Sequence, residues 1–281
     1  MNRLSPYVRS QWPRLWTQCL CLSPHTLTSS QSTHFTDYYP FTMLVPKTAL
    51  LALALCASDA LALDPKCAPG GNFDLNKFVL QLPSGSPGKP DQIPASRLKG
   101  CDGFQDGKYF FTDGNGDGAM VMKAPGGGNC ATFNGAPRCR SEFGETSPWS
   151  SSAATNRLKA DLSVNSGSSI CIGQVFQSNS NNKPLAEVYY NSNGEITVGV
   201  EYVATGGQGQ DLNKIGSVSA KTRFHYEMRF EKGNLQFSLN GGDFKTLKQY
   251  FKTDKAFFKM GNYNQGKDDT SIHVYGLSIE H

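Results

Sequence analysis

The chain has 281 residues, of which 38% are hydrophobic, 11% aromatic and 18% charged. This apolar content is enough for one substantial core, so it excludes an intrinsically disordered chain and a mini-protein held together by disulfides alone. The formal net charge of +4 is too small to indicate nucleic-acid binding by itself, and 29 glycines with 15 prolines favour a turn-rich β protein.

The N-terminal segment carries the pattern of an export signal. A short basic stretch at residues 43–47 precedes an apolar run at 48–57, and Ala60-Leu-Ala62 follows as an A-x-A cleavage site. The apolar run is too short for a membrane span, which needs about 20 residues. A core helix over the same run is the alternative interpretation.

This pattern predicts the organisation of the whole chain. Residues 1–42 are interpreted as an upstream extension, either disordered or an artefact of the gene model, and residues 43–62 as a signal peptide. Residues 63–281 are then a single domain that is secreted to the extracellular space. We expect this domain to be a monomer with neither nucleic-acid nor membrane partners.

Five cysteines follow Ala62, and an odd number leaves one thiol unpaired. We predict the pairs Cys67–Cys101 and Cys130–Cys139, although five cysteines allow other connectivities. Cys171 lies in an apolar strand, where a free thiol behaves as a small hydrophobic side chain. The spacing of cysteine and histidine does not indicate zinc.

From Phe73 onward the sequence is typical of short strands separated by turns. Asn193-Gly194 between two apolar runs is a strong hairpin signal, and the alternating segment 224–230 turns at Lys232-Gly233-Asn234. Turns at intervals of roughly 8–12 residues favour a sandwich or jelly roll. The predicted fold class is therefore all-β: a β-jelly roll sandwich with a concave substrate groove.

Two turn-rich segments resemble ligand loops. The segment from Asp113 to Gly118 copies the first half of a calcium loop, but Ala124 stands where the loop's final glutamate belongs. We favour a hairpin turn, with a structural calcium ion as the alternative, and expect no other metal or cofactor. Residues 204–210 lack the lysine of a phosphate-binding loop and are interpreted as a mobile loop over a cleft.

Three predicted strands place polar side chains where a sheet should be apolar. The two-residue period puts Arg138, Arg140 and Glu142 on one face, where the acid can orient a guanidinium. Gln174 is an amide inside an otherwise apolar strand. Each feature taken singly has an ordinary explanation, such as a solvated ion pair or a satisfied backbone group.

In the third strand, Lys259, Gly261, Tyr263 and Gln265 share a face, and the glycine is expected to leave room for a ligand. Together the three segments suit an anionic polymer that lies across a concave sheet.

These segments resemble the alginate lyase family, polysaccharide lyase family seven. Arg140-Ser-Glu-Phe143, Gln174-Val-Phe176 and Phe258-Lys-Met-Gly-Asn-Tyr-Asn-Gln265 stand in the order of the family blocks R-[ST]-E-[LV]-R, Q-[IV]-H and Y-F-K-A-G-x-Y-N-Q. The resemblance extends from about Phe73 to the C-terminus. It implies a β-jelly roll that cleaves polyuronates, either alginate or the glucuronan of the related family 20 lyases, by β-elimination.

Two departures from the family blocks affect the expected chemistry. Gly144 replaces the closing arginine of the first block, and Arg138 is expected to compensate by extending the same face. Phe176 replaces the histidine of the second block, which in the family is assigned as general base for some substrates. The identity of the general base is therefore open in this chain.

Elimination removes H5 of a uronic acid, which requires the neighbouring carboxylate to be neutralised. We assign this role to Arg140 and Gln174, and we assign Tyr263 as both acid and base, with a pKa lowered by nearby cations. A tyrosine acting alone suits syn elimination, so mannuronate or β-glucuronate is expected in preference to guluronate. The expected substrate contacts are Lys259, Arg138, Glu142, Gln265 and Asn264.

Other functions stay open at this point. His225 is an alternative base, but a surface position is favoured for it. A non-catalytic polyuronate-binding jelly roll would explain the missing histidine. A glycoside hydrolase needs two carboxylates, and Glu142 has no evident partner by spacing.

Overall fold

Two antiparallel sheets face each other in the computed structural model, which describes residues 62–136 and 138–281. The predicted upstream extension and all but the last residue of the predicted signal peptide lie outside the described residues. Helical structure in the described part is confined to a single turn at Pro69–Asn72 and a 3-10 turn at Ala95–Arg97. Neither segment has the length or the apolarity that crossing a membrane requires.

Sixteen strands account for most of the described residues. In chain order they are β1 (Phe78–Ser86), β2 (Lys89–Ile93), β3 (Phe110–Thr112), β4 (Met120–Ala124), β5 (Arg140–Glu145), β6 (Trp149–Ser150), β7 (Arg157–Ser166), β8 (Ser169–Gln177), β9 (Pro184–Asn191), β10 (Glu195–Glu201), β11 (Gln210–Ser217), β12 (Phe224–Glu231), β13 (Asn234–Leu239), β14 (Lys245–Leu247), β15 (Lys255–Asn264) and β16 (Thr270–Glu280).

The first sheet has the order β11-β10-β9-β8-β15-β5-β1-β2, with β6 beside β15, and the second has the order β14-β13-β12-β7-β16-β4-β3. This arrangement confirms the predicted jelly roll sandwich. The predicted hairpins at Asn193-Gly194 and Lys232-Gly233-Asn234 join β9 to β10 and β12 to β13. Strands distant in sequence therefore meet in the middle of the first sheet, where β15 pairs with both β5 and β8.

The core lies between the inner faces of the two sheets. Strand β12 shows why, because buried and half-buried residues alternate along its whole length and its aromatic side chains all point inward. Burying each such side chain contributes about 1.5–3 kcal/mol. The Tyr226 hydroxyl donates to the Ile172 carbonyl oxygen at 2.8 Å, so this buried phenol also ties the two sheets together.

The predicted disulfides Cys67–Cys101 and Cys130–Cys139 are both formed, and Cys171 is free and buried. The second disulfide closes a short loop that leads directly into β5. The predicted cysteine pairing is therefore confirmed.

The segment from Asp113 to Gly118 closes the hairpin between β3 and β4. The side chains of Asp113 and Asp117 accept hydrogen bonds from the backbone amides of Asn115 and Ala119. Across residues 62–136 and 138–281, no group of three or more acidic, histidine or cysteine side chains is arranged to hold a metal ion. The loop therefore acts in this structure as a turn.

Candidate active site

A groove of about 480 Å³ runs across the outer face of the first sheet. Six strands contribute to its floor, and three loops form its walls. The floor residues are Gln81 of β1, Arg140 of β5, Gln174 and Phe176 of β8, Glu187 of β9, Glu201 of β10, and Lys259 and Tyr263 of β15. The wall residues include Phe133 to Ala136, Asn181 to Lys183, and Gly206 with Gly207.

The register of the central strands brings the three predicted catalytic side chains together. Tyr263 is the cross-strand partner of Arg140, and Lys259 is the partner of Gln174. Side chains of paired residues project from the same face of a sheet. Arg140, Gln174 and Tyr263 therefore line one groove, as the sequence predicts.

A bulge in β15 shapes this meeting point. The pairing of β15 with β8 shifts between Met260 and Tyr263, and Gly261 has φ +150°, a conformation that favours glycine. A β-carbon on Gly261 would lie 2.6 Å from the Ser141 carbonyl oxygen and 2.8 Å from the Glu142 α-carbon. The expectation that this glycine leaves room for a ligand is wrong, because its role is to let β5 approach.

Glu142 lies beneath the groove floor at the centre of a polar network. It accepts a hydrogen bond from Arg140 Nη1 at 3.0 Å and one from Gln174 Nε2 at 2.5 Å, and Lys259 Nζ lies 3.9 Å from it. Only 3% of Glu142 is exposed, and its carboxylate orients the guanidinium and the amide, which are both buried and need a partner. The predicted substrate contact at Glu142 stays a prediction.

Arg140 and Tyr263 stack on each other. The guanidinium carbon lies 3.6 Å from the centroid of the phenol ring, a cation–π geometry. Burial raises the pKa of Tyr263 above its ordinary value, and the charge of Arg140 offsets only part of this increase. Arg140 thus lowers this pKa as expected, but the expected net decrease is wrong, because desolvation of the phenolate outweighs the attraction.

Lys259 and Phe176 occupy the neighbouring part of the floor. Lys259 Nζ lies 4.0 Å from the centroid of the Phe176 ring, which packs against Phe257 at 5.3 Å. Burial lowers the pKa of Lys259, Glu142 opposes this shift and Arg140 adds to it. Phe176, at the position of the family histidine, thus presents an apolar ring to the groove.

Three further predicted substrate contacts, like Glu142, do not line the groove. Arg138 precedes β5, is exposed and donates to the backbone carbonyl oxygen of Gln265. Asn264 is buried on the inner face, where its amide donates to the carbonyl oxygens of Pro125 and Asp268 at 3.0 and 2.8 Å. In this structure neither side chain faces the groove, because β5 begins only at Arg140 and strand alternation turns Asn264 inward.

Gln265 lies just beyond the end of β15, so the alternation that should carry it to the face of Tyr263 stops before it. Its side-chain amide donates to the backbone carbonyl oxygen of Tyr263 at 3.2 Å. In this structure Gln265 therefore supports the end of the strand that carries Tyr263.

Sequence reasoning missed an acidic part of the floor. Gln210 Nε2 donates to Glu187 Oε2 at 2.6 Å and to Glu201 Oε1 at 2.9 Å, and the Tyr189 hydroxyl donates to Glu187 at 2.7 Å. Burial raises the pKa of Glu187. Charged residues are common in hairpin strands, so nothing in the sequence distinguished these glutamates from solvated ones.

The histidines of the domain lie elsewhere. His225 is on β12 of the second sheet, and His273 on β16 has its Nδ1 4.0 Å from Asp113. His281 Nε2 lies 2.7 Å from Glu145 Oε1. In the described part of the chain no histidine lines the groove, so His225 is not placed to act as its base.

Comparisons with known proteins agree with this fold. The sequence model of a family described as alginate lyase matches residues 73–281. Alginate lyase A1-II', a member of polysaccharide lyase family 7, superposes with a TM-score of 0.66 at 25% identity, over 76% of this chain and 98% of that chain. No curated protein matches the sequence.

Two further solved structures share the fold. A variant of A1-II' in complex with substrate, GGMG, has a TM-score of 0.65 at 24% identity, over 76% of this chain and 97% of that chain. An alginate lyase from Pseudomonas aeruginosa has a TM-score of 0.63 at 22% identity, over 74% and 100% of the two chains.

Proposed function

The chain belongs to the alginate lyase family and is a polysaccharide lyase, and from this premise we propose that it is secreted and cleaves mannuronate-rich alginate by β-elimination. Family membership confirms the resemblance of the three sequence blocks. One observation carries the assignment of residues: Arg140, Gln174 and Tyr263 line a single groove although they come from three separate parts of the chain.

Arg140 and Gln174 are proposed to neutralise the carboxylate of the uronate whose H5 is removed. Glu142 uses one N–H of each group, and a guanidinium has five such donors while a primary amide has two. Other N–H groups of Arg140 and Gln174, which both line the groove, are proposed to bind the substrate carboxylate. Because Glu142 holds both groups in place, they need little reorganisation when the carbanion forms.

Tyr263 is proposed to move the proton. Its phenolate takes H5, the electrons of the C5–H bond form the C4=C5 double bond, and the C4–O4 bond breaks. The phenol then protonates the departing O4, which restores the phenolate. Arg140 stacks on the ring and stabilises the phenolate, although burial keeps most of Tyr263 protonated at neutral pH.

The preference for mannuronate follows from the use of one group for both transfers. A single tyrosine reaches H5 and O4 most easily when both lie on the same face of the sugar, as they do in mannuronate and β-glucuronate. The apolar ring of Phe176 supports this proposal, because it occupies the position of the family histidine. Lys259, on the same floor, is proposed to bind a second substrate carboxylate or hydroxyl.

Secretion is proposed from the export pattern at residues 43–62. The two disulfides support it, since disulfides form and persist in oxidising compartments.

The test is to incubate the purified protein with polymannuronate, polyguluronate and glucuronan and to follow the ultraviolet absorbance of the unsaturated product. We expect the fastest product formation with polymannuronate. Fastest turnover of glucuronan would instead identify a glucuronan lyase, which the same syn geometry allows.

Tyr263→Phe should abolish product while calorimetry still detects polymer binding, because the ring and its stacking on Arg140 are retained. Binding by the unmodified protein without any product would identify a non-catalytic polyuronate-binding domain and contradict the proposal.

A further inference from the structure

We propose that Phe133 and Gln81 form an outer subsite that binds a second uronate residue of the polymer at the β1 end of the groove. This inference rests on the proposed function and extends it from the reacting sugar to a neighbour along the chain. Neither residue belongs to the three sequence blocks.

Phe133 is an exposed aromatic side chain in a loop that a disulfide closes. It is 41% exposed and lines the groove, although hydrophobic side chains of this size are usually buried. The Cys130–Cys139 disulfide closes its loop, and the Gly88 amide donates to the Thr132 carbonyl oxygen at 3.0 Å. An exposed aromatic face that lines a groove is suited to stacking against the apolar face of a sugar ring.

Gln81 supplies an independent indication of a ligand. It lies on the groove floor, is 8% exposed, and its Nε2 has no hydrogen-bond partner within the described residues. A buried amide donor without a partner is costly, so such groups are rare unless a ligand or water completes them. A uronate hydroxyl or carboxylate oxygen is an acceptor of the required kind.

The sheet fixes the position of this subsite relative to the reacting sugar. Gln81 is the cross-strand partner of Glu142, and β5 in turn pairs with β15, which carries Tyr263. Two strand spacings separate β1 from β15, about 10 Å. Phe133 forms a β-bridge with Gly88 in the turn that follows β1. A short oligouronate can therefore fill the reacting position without reaching Phe133, whereas a longer one reaches both.

The inference is tested by measuring kcat and KM for Phe133→Ala on mannuronate oligomers of increasing length. We expect KM to rise about tenfold for long oligomers, with kcat unchanged and no effect on the shortest oligomers that are cleaved. Phe133→Tyr retains the ring and should restore the original KM. Leu212→Ala is the matched control, since Leu212 is 65% exposed on β11 and lies outside the groove lining.

An equal loss at every length, a fall in kcat, or an unchanged KM for long oligomers would overturn the inference. Calorimetric titration of the same variants with the same oligomers separates this outcome from failure of the proposed function. If no variant forms product but Phe133→Ala selectively weakens binding of long oligomers, the subsite stands and the catalytic proposal falls. If binding does not depend on Phe133, the subsite falls.

Discussion

Phe176→His should give the groove a second proton acceptor. The new imidazole would occupy the position of the family histidine, on the floor that also carries Tyr263. Lys259 Nζ lies 4.0 Å from the present ring centroid, and a neighbouring positive charge disfavours the imidazolium, which keeps the new histidine in its basic form near neutral pH. We expect turnover of polyguluronate to rise about 100-fold, in the range typical of a positioned general base.

The structure also gives the expected cost in stability. The substitution removes a cation–π contact with Lys259, worth about 0.5–2 kcal/mol, and weakens the aromatic pair with Phe257, worth about 0.5–1.5 kcal/mol. The total loss is about 1–3.5 kcal/mol. For a domain of this size the melting temperature should fall by about 2–14 °C.

The assay compares initial rates of unsaturated-product formation on polymannuronate and polyguluronate for the unmodified protein, Phe176→His and Phe176→Leu. The leucine variant is the control, because it loses the same aromatic contacts and adds no base. A selective gain on polyguluronate in the histidine variant alone is the expected outcome. Equal rates of the unmodified protein on both polymers, or an equal gain on both in the variant, would refute the reasoning.

Three other changes test separate parts of the site. The pKa of Tyr263 is raised above its ordinary value of about 10, so its phenolate fraction increases through neutral and alkaline pH. We therefore expect kcat/KM to rise about tenfold per pH unit between about pH 7 and 9. A maximum of kcat/KM below pH 7 would exclude Tyr263 as the base. Glu142→Ala leaves the buried Arg140 without its counterion, which should lower the free energy of unfolding by about 3–5 kcal/mol and the melting temperature by at least about 6 °C. An unchanged melting temperature would contradict the polar network around Glu142. Gly144→Arg restores the closing arginine of the first block, at a position where a β-carbon would meet only ordinary contacts at 3.9 Å or more. We expect KM for polymannuronate to fall several-fold at constant kcat, because the new guanidinium can bind a substrate carboxylate. An unchanged KM would argue against a substrate carboxylate at that point.

The overall fold could be predicted from the sequence because turns and strand alternation depend on residues close together in the chain. Asn193-Gly194 specifies its own turn, and the alternation of β12 identifies the face that packs inward. The meeting of Arg140, Gln174 and Tyr263 depends instead on the order of strands in the sheet. That order was accessible only through resemblance to family blocks, since strand pairing between distant segments leaves no mark in local periodicity.

The differences between the expected and the observed site have a common physical origin. Glu142 and Asn264 are polar residues next to the groove, but burial and hydrogen-bond partners from other strands decide whether such a residue meets substrate or supports the floor. The same applies to the pKa of Tyr263, because the sequence shows nearby cations but not the extent of desolvation. Gln81 and Phe133 were missed because an amide in a strand and an aromatic residue in a loop are ordinary until their exposure is known.

Gly261 matters for how this activity is recognised in other genomes. Any β-carbon at this position would wedge β15 away from β5 and separate Tyr263 from Arg140, two residues along the strand from the change. A relative could retain the arginine, the glutamine and the tyrosine but lack this glycine. We expect such a protein to have no lyase activity, although its catalytic residues are all present. Searches for functional members of this family should therefore require glycine at the position of Gly261.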